Sequence, residues 1–540
     1  MGVFKSKVAV GSERFSDYQS AMMDKIEQMR ALEKRSVDKS ELRRPVFEKR
    51  GQLTPNDRLK RLLDPGMPFL RLFNMANYLW DDKNPDTSLP GGSSILGIGY
   101  VSGVRCLVWV DDSGIRAGAA TTGGWQAARQ AQEIAIRQKL PFIHLVESAG
   151  ANLMEYEVEL WANAGVIFRN LATMSAMGIP TLVVLHGPST AGGAYMPGMS
   201  DYVVGVKNNG LAALAGAALV KAATGEVVDE RELGGTEMHS SVSGVIEYLA
   251  EDDAHGIAIA RDIIDGLGWN ERADVTAARD FEPPKYDPET IAGAVPTEYT
   301  TPYDIREVMA RLYDGSEFEE FKSRYGPATV CAQGRVMGMP CAMIGNNGPI
   351  DPSGATKAGQ FFQLCDSADM PIVFLHNTTG YMVGTEYEQA GMIKHGSKMI
   401  QAVSNVRVPK ISFYIGASFG AGNYGMNGFS YAPDFIFSWP NSRTGVMGGA
   451  QAAKTMRQVA EVRAQRKGVP LDIAAADKQQ AEIEAIFERQ ESAFYSSGRA
   501  LDHGMIDPRD TRKVLGFCLM TCREAKARDL KSNTFGVARL

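Results

Sequence analysis

The sequence predicts an α/β protein built from two copies of one fold, and three observations carry that expectation. First, apolar runs recur across the chain: PFIHLVESAG (141–150) and IPTLVVLHGPSTAGGAY (179–195) are answered by PIVFLHNTTG (371–380) and VPKISFYIGASFGAGNY (408–424). Second, the offsets agree. Pro141 and Pro371 lie 230 positions apart, while Pro180 and Pro409, Gly187 and Gly416, Ser189 and Ser418, and Gly193 and Gly422 lie 229 apart, which one duplicated unit explains economically. Third, each copy runs through an apolar stretch, a Gly-bearing turn, a helix-like stretch, a second apolar stretch and a Gly-rich turn, which is βαβ order.

The elements follow in chain order. Residues 17–35 carry apolar positions at helical spacing between charges, and the chain stays charged to Arg50, so residues 1–50 read as a helical segment on the surface or against a partner. A globular pattern starts at Leu53. TPNDRLKRLLDPG supplies Thr54 as N-cap, Pro55 as first helical residue and Pro65-Gly66 as a stop. Residues 277–303 gather Pro, acids and turn formers without periodicity, as a linker does. The expected division is therefore 1–50, 51–285 and 286–540.

Bulk composition narrows the function classes. A length of 540 residues exceeds a usual single core, and 44% hydrophobic, 22% charged and 56 glycines describe a globular enzyme rich in tight turns. A net charge of −6 leaves no basic footprint for nucleic acid. No window reaches the ~18 apolar residues of a membrane span, and residues 1–30 show no secretory signal. The six cysteines are not at zinc-ligand spacing, Cys518 and Cys522 read as buried on one helix face, and the cytoplasm is the expected compartment.

Chemistry is expected at the second Gly-rich turn of each copy, Ser189–Tyr195 and Ser418–Tyr424. Small residues let a ligand oxygen approach the backbone, and a helix starting there would aim its free N–H groups at that oxygen. Two such amides hold an enolate oxygen at about 3 kcal/mol per well-aimed donor. A lone Gly-Gly pair is more often a packing device; its recurrence at the same offset favours a site. His239 is read as orienting a loop or satisfying a turn. Glu147, Asp111 and Asp112 read as capping or solvated carboxylates. Lys221 and Arg116 are set against phosphate groups, their bland reading being solvated surface cations.

These residues carry a resemblance. TAGGAYMPGMSD (190–201), LVKAATGE (219–226), ELGG with His239 and SGV (232–245), NNG (346–348), GASFGAGNYGM (416–426), VMGGAQAA (446–453) and the terminal FGVARL resemble the carboxyltransferase β subunits of biotin-dependent acyl-CoA carboxylases from about residue 50 onward. The resemblance implies two tandem crotonase-like domains, each a duplicated ββα superhelix. It implies an active site where the N-half of one protomer faces the C-half of its dimer mate. The amides around Gly192 and Gly193 would hold the acyl thioester oxygen, with Ala149, Gly150, Ala164, Ala191, Ala194, Lys221 and Arg116 on the coenzyme A substrate side. Those around Ala421 and Gly422 would hold the ureido oxygen of biotin, with Thr379, Gly380, Gly420 and Asn423 beside them. Carboxybiotin would release CO2 and then accept the substrate's proton, so two oxyanions develop and two holes are needed. No AMKM biotinylation motif and no Gly-rich ATP loop is found. Biotin is therefore expected on a partner, a biotin carboxylase/biotin carboxyl carrier α subunit, with β subunits assembled as a dimer-built hexamer and no metal in this chain.

The branch of the family is also legible. NYGM, NTTGYMVGTEYE and FGVARL resemble the methylcrotonyl-CoA and geranyl-CoA group, which carboxylates the γ carbon of 3-methyl-2-enoyl thioesters. Where methylcrotonyl enzymes carry Phe in HFGRIF, this chain has NAGVIF with Ala164, which opens room for a long branched tail such as geranyl. Ala217-Ala218 replace two prolines, and Ser148-Ala149-Gly150 a Ser-Gly-Gly. Methylcrotonyl-CoA, or the substrate of another acyl-CoA carboxylase or decarboxylase, is the alternative. A hydratase would have one such domain, and a docking scaffold would not need two intact Gly turns.

Overall fold

The computed structural model describes residues 2–150, 158–273 and 280–537. Residues 277–279 of the expected linker and the last three residues of FGVARL lie outside them. The chain divides into two compact units, each built on an eight-stranded mixed sheet.

One unit comprises Arg30–Thr276, Gly498–Gly504 and Met520–Leu540. Its sheet runs in the order Leu70–Leu72, Ser94–Val101, Val104–Asp111, Phe142–Ser148, Thr181–Thr190, Tyr202–Val206, Tyr248–Ala250. The first three strands pair antiparallel; from Val104–Asp111 onward the pairing is parallel. Leu211–Ala213 pairs in parallel with the end of Thr181–Thr190. Parallel strands covered on both faces read as unbroken apolar runs. FIHLVES is such a run, and its inner residues are all buried. Val108, Leu145, Val184, Val204 and Ile257 share one core cluster.

The other unit comprises Met1–Met29, Ala277–Ser497 and Met505–Leu519. Its sheet runs Gly2–Val3, Glu317–Phe321, Thr329–Val336, Met339–Asn346, Ile372–Thr378, Lys410–Phe419, Phe435–Ser438, with Arg443–Gly445 on the end of Lys410–Phe419. The registers repeat those of the first sheet. Phe142 pairs with Thr181 and Ile372 with Lys410; a bulge follows Val146 and His376; then Ser148 meets Ser189 and Thr378 meets Ser418. The offset seen in the sequence is therefore the offset of the hydrogen-bond ladder, and Gly193 and Gly422 each stand four residues beyond the bulge pair. A pair of 19-residue helices, Gly449–Lys467 and Ile473–Glu491, was not foreseen.

Helix Pro55–Leu62 starts as expected, with Thr54 Oγ1 accepting from Asp57 N at 3.2 Å. The N-terminal segment is helical, as expected. Helix Glu13–Glu41 packs Met22 and Ile26 against Ala292, while Ser36 and Ser40 bond to Pro90 O and Asp112 Oδ1. It is a surface helix held by one buried stripe, and the two compact units draw on separated stretches of the chain. Part of the expected linker is core. Ile291–Ala294 is a buried helical turn, and Gly293 is required there because a Cβ would stand 2.4 Å from the Phe15 ring.

Two buried histidines make the fold acid-sensitive. Burial pulls His376 and His503 from the ordinary 6.5 to about 3. Between these pH values the unfolded chain binds protons that the folded chain does not, so stability falls as pH falls through the window. At pH 5 this amounts to ~2 kcal/mol per histidine. His376→Val, which installs the residue found at the equivalent Val146, should flatten the dependence of the urea midpoint on pH between 6.5 and 5. An unchanged slope would assign the sensitivity elsewhere.

Among the described residues no helix is long and apolar enough to cross a membrane, and no group of three His, Cys, Asp or Glu could hold a metal. All six cysteines are free and buried, Cys518 and Cys522 included.

Candidate functional site

In the first unit the parallel strands end in two adjacent loops. Ser148 ties the first one down, its Oγ donating to Gly118 O at 2.6 Å and accepting from Gly150 N at 3.1 Å. Ala149 N bonds Ala117 O, and Ala120 N bonds Gly150 O, both at 3.0 Å. Gly150 is needed for its φ of +78°; Ala149, outside the left-handed region, tolerates its methyl group. The second loop follows Ser189 and Thr190, which pair with Ala212 and Ala213. Ala191 then takes a φ of +54°, where the other unit has Gly420 at +57°. A 3₁₀ turn, Ala191–Ala194, and helix Tyr195–Met199 follow. The leading N–H groups of such a turn have no acceptor within it.

Beneath these loops lies a cavity of about 810 Å³. Ala149, Gly150, Ala164, Ala191, Gly192 and Gly193 all line it, so the structure brings together six residues selected from the sequence. A Cβ on Gly192 would meet only the Phe168 ring, at 3.8 Å, whereas one on Gly193 would come within 2.9 Å of Ser189 Oγ. Three other candidates fall outside the lining. Ala194 is half-buried behind the turn. Lys221 is exposed on helix Ala217–Thr224. Arg116, at φ +50°, reaches 3.7 Å from Asp81, itself a lining residue. Ala217 and Ala218 occupy the first helical positions, where a proline's missing N–H is harmless, so their exchange for proline loses no hydrogen bond.

The cavity also takes in Asp111, together with Trp109 and His144, which the sequence reading missed. The signal was there in alternation: residues 144, 146 and 148 share one face of a strand. The reading of Glu147 and Asp111 as capping or solvated groups is corrected. Glu147 is buried against Arg58 at 2.6 Å; Arg58 also reaches Asp253 at 2.9 Å, and Asp253 meets His186 Nδ1 at 2.9 Å. Burial opposes ionisation of Asp253, but His186 and Arg58 prevail and hold it below the usual carboxylate range. Asp111 stands 3.1 Å from His144 Nε2. Asp112 does make the expected turn, accepting from Gly114 N and Ser40 Oγ, although burial pushes it up to about 6. His239 bonds Ser243 Oγ at 2.6 Å and Ala212 O at 2.7 Å, so it fastens a turn to the strand beside the site.

In the second unit the corresponding turn is helix Gly420–Gly425. Gly422 is packed on Gly380: a Cβ would stand 2.8 Å from Gly380 Cα. Gly380 itself has a φ of +124°, and its carbonyl accepts from Ile350 N at 2.9 Å. Thr379 and Ala421 are exposed beside this contact. Asn423 does not offer its amide nitrogen to a ligand, since Nδ2 donates to Ser418 Oγ at 2.8 Å and to Tyr414 OH at 3.2 Å. His376 Nδ1 joins Ser418 Oγ at 2.8 Å, completing a buried polar support under the turn.

Turns with free leading N–H groups end equivalent strands of the two sheets, and one of them stands over a cavity, an arrangement with the donors an oxyanion requires. The carboxyl transferase domain family matches residues 47–537. The 3-methylcrotonyl-coenzyme A carboxylase beta1 subunit of Mycobacterium tuberculosis, described as biotin-dependent, is 43% identical over 88% of this chain and 89% of its own length. The mitochondrial methylcrotonoyl-CoA carboxylase beta chain of Arabidopsis thaliana is 40% identical over 100% of this chain and 92% of its own. The crystal structure of the geranyl-CoA carboxylase beta subunit of P. aeruginosa superposes with a TM-score of 0.93 at 47% identity, covering 100% of both chains. The chain belongs to the carboxyl transferase family, the one its motifs resemble.

Proposed function

We propose that this carboxyltransferase is the β subunit of a biotin-dependent acyl-CoA carboxylase and carboxylates the γ carbon of a 3-methyl-2-enoyl-CoA with a long branched tail, geranyl-CoA or a close relative. The observation that carries this is the cavity of about 810 Å³ under Gly192 and Gly193, with Ala164 on its wall. A volume of that order suits a small-molecule site. On this reading the two units are crotonase-like domains.

The first turn's amides hold the thioester oxygen, stabilising charge that grows there when the acyl group loses its proton. The acyl tail descends past Ala164 and Gly165. The Gly420–Asn423 turn suits the ureido oxygen of biotin, because Gly420, Ala421 and Gly422 offer backbone amides with no bulky side chain of their own. Biotin, carried by an α subunit, supplies the carboxyl group and accepts the proton. A biotin-carrying α subunit and further copies of this chain are the partners, and the cytoplasm, which suits six free cysteines, is the compartment.

The chain purified with its biotinylated partner should show ATP- and bicarbonate-dependent carboxylation with a higher kcat/KM on geranyl-CoA than on methylcrotonyl-, propionyl- or acetyl-CoA. A preference for methylcrotonyl-CoA would support the second reading, which the relatives named for that substrate favour. Preference for a saturated acyl-CoA would defeat both.

A further inference from the structure

Three side chains at the inner end of the cavity are out of character with a hydrocarbon pocket. His144 is only 2% exposed, stacks on Trp109 with ring centroids 4.0 Å apart, and brings Nε2 to 3.1 Å from Asp111 Oδ1. Neither Nδ1 nor Nε2 makes a hydrogen bond among the described residues, the approach to Asp111 included. A buried ring nitrogen left in that state is costly unless a ligand completes it.

The fold does not ask for this arrangement. Trp109 pairs with His144 in one sheet where Ile344 pairs with Phe374 in the other, and Asp111 corresponds to Asn346. The same strand positions are thus filled by an apolar pair in the second unit. His144 stands four residues before Ser148 on the strand, roughly 13 Å at ~3.3 Å per residue, and lines the same cavity as Gly192 and Gly193.

We propose that His144 recognises a hydroxyl group at the far end of the acyl chain, so that the preferred substrate is a terminally hydroxylated branched acyl-CoA. This rests on the reading of the cavity as the acyl-tail site. A neutral imidazole keeps a lone pair on one ring nitrogen, and with both nitrogens of His144 unpaired that lone pair is open to a hydroxyl proton. A terminal carboxylate would instead face the Asp111 carboxylate. Asp111 is held in place, its Oδ2 accepting from Glu147 N at 3.2 Å.

The test compares kcat/KM for geranyl-CoA and its terminally hydroxylated derivative in the assembled enzyme. The hydroxylated thioester should be favoured by roughly tenfold or more, and in His144→Phe, the other unit's own solution, the ratio should fall to about one. If His144→Phe does not fold, His144→Gln should still lower the ratio. Turnover of geranyl-CoA without any preference in the wild-type enzyme, or a preference that survives both substitutions, would overturn this inference and leave the carboxylase reading standing. Turnover of neither thioester would overturn both.

Discussion

Gly193→Val and Gly422→Val should each abolish carboxyl transfer, by at least ~10²-fold in kcat for a lost oxyanion donor, while ATP-dependent biotin carboxylation on the partner subunit continues. The geometry grades the series further. A methyl group on Gly422 runs into backbone, 2.8 Å from Gly380 Cα, and something must shift. On Gly193 it meets the Ser189 hydroxyl at 2.9 Å, which can rotate aside; on Gly192 it meets only the Phe168 ring at 3.8 Å. Gly422→Ala should therefore be the most damaging of the three alanine variants and Gly192→Ala the mildest in fold, as read by circular dichroism and kcat together. Loss of the partner's half-reaction in any of them would mean that assembly, not the oxyanion site, had failed.

Ala164→Phe should switch substrate preference. Ala164 lines the cavity, with Gly165 and Phe168 nearby on the same wall, and a ring placed there occupies the path of a long tail. Overpacking typically costs ~1 to 3 kcal/mol, roughly tenfold to over a hundredfold in kcat/KM on geranyl-CoA. A methylcrotonyl tail ends short of the ring and should be turned over as well or better. Equal losses on both substrates would remove Ala164 from substrate selection.

How much of this was legible in the sequence depended on whether a signal was local. The strands, the Thr54 cap and both Gly turns could be read because apolar runs, capping chemistry and small residues are written within a few positions. The repeat then fixed their register across 229 residues. His144 was hidden because it sits inside an apolar run, and only the folded sheet brings it to Asp111. Glu147 looked like a run's polar end, yet its partner Arg58 lies 89 residues away. Helix Glu13–Glu41 was legible as a surface element because its buried stripe of Met22, Ile26, Met29 and Leu32 is narrow and surrounded by charge.

Ala191 carries a further consequence. Its left-handed backbone disfavours any residue with a Cβ, by ~1 to 2 kcal/mol, and it is imposed by strand pairing at Ser189 and Thr190 on one side and the helical turn on the other. The turn that carries the amides of Gly192 and Gly193 therefore starts from a strained residue held on both sides, as backbone at functional sites often is, and not from a relaxed loop.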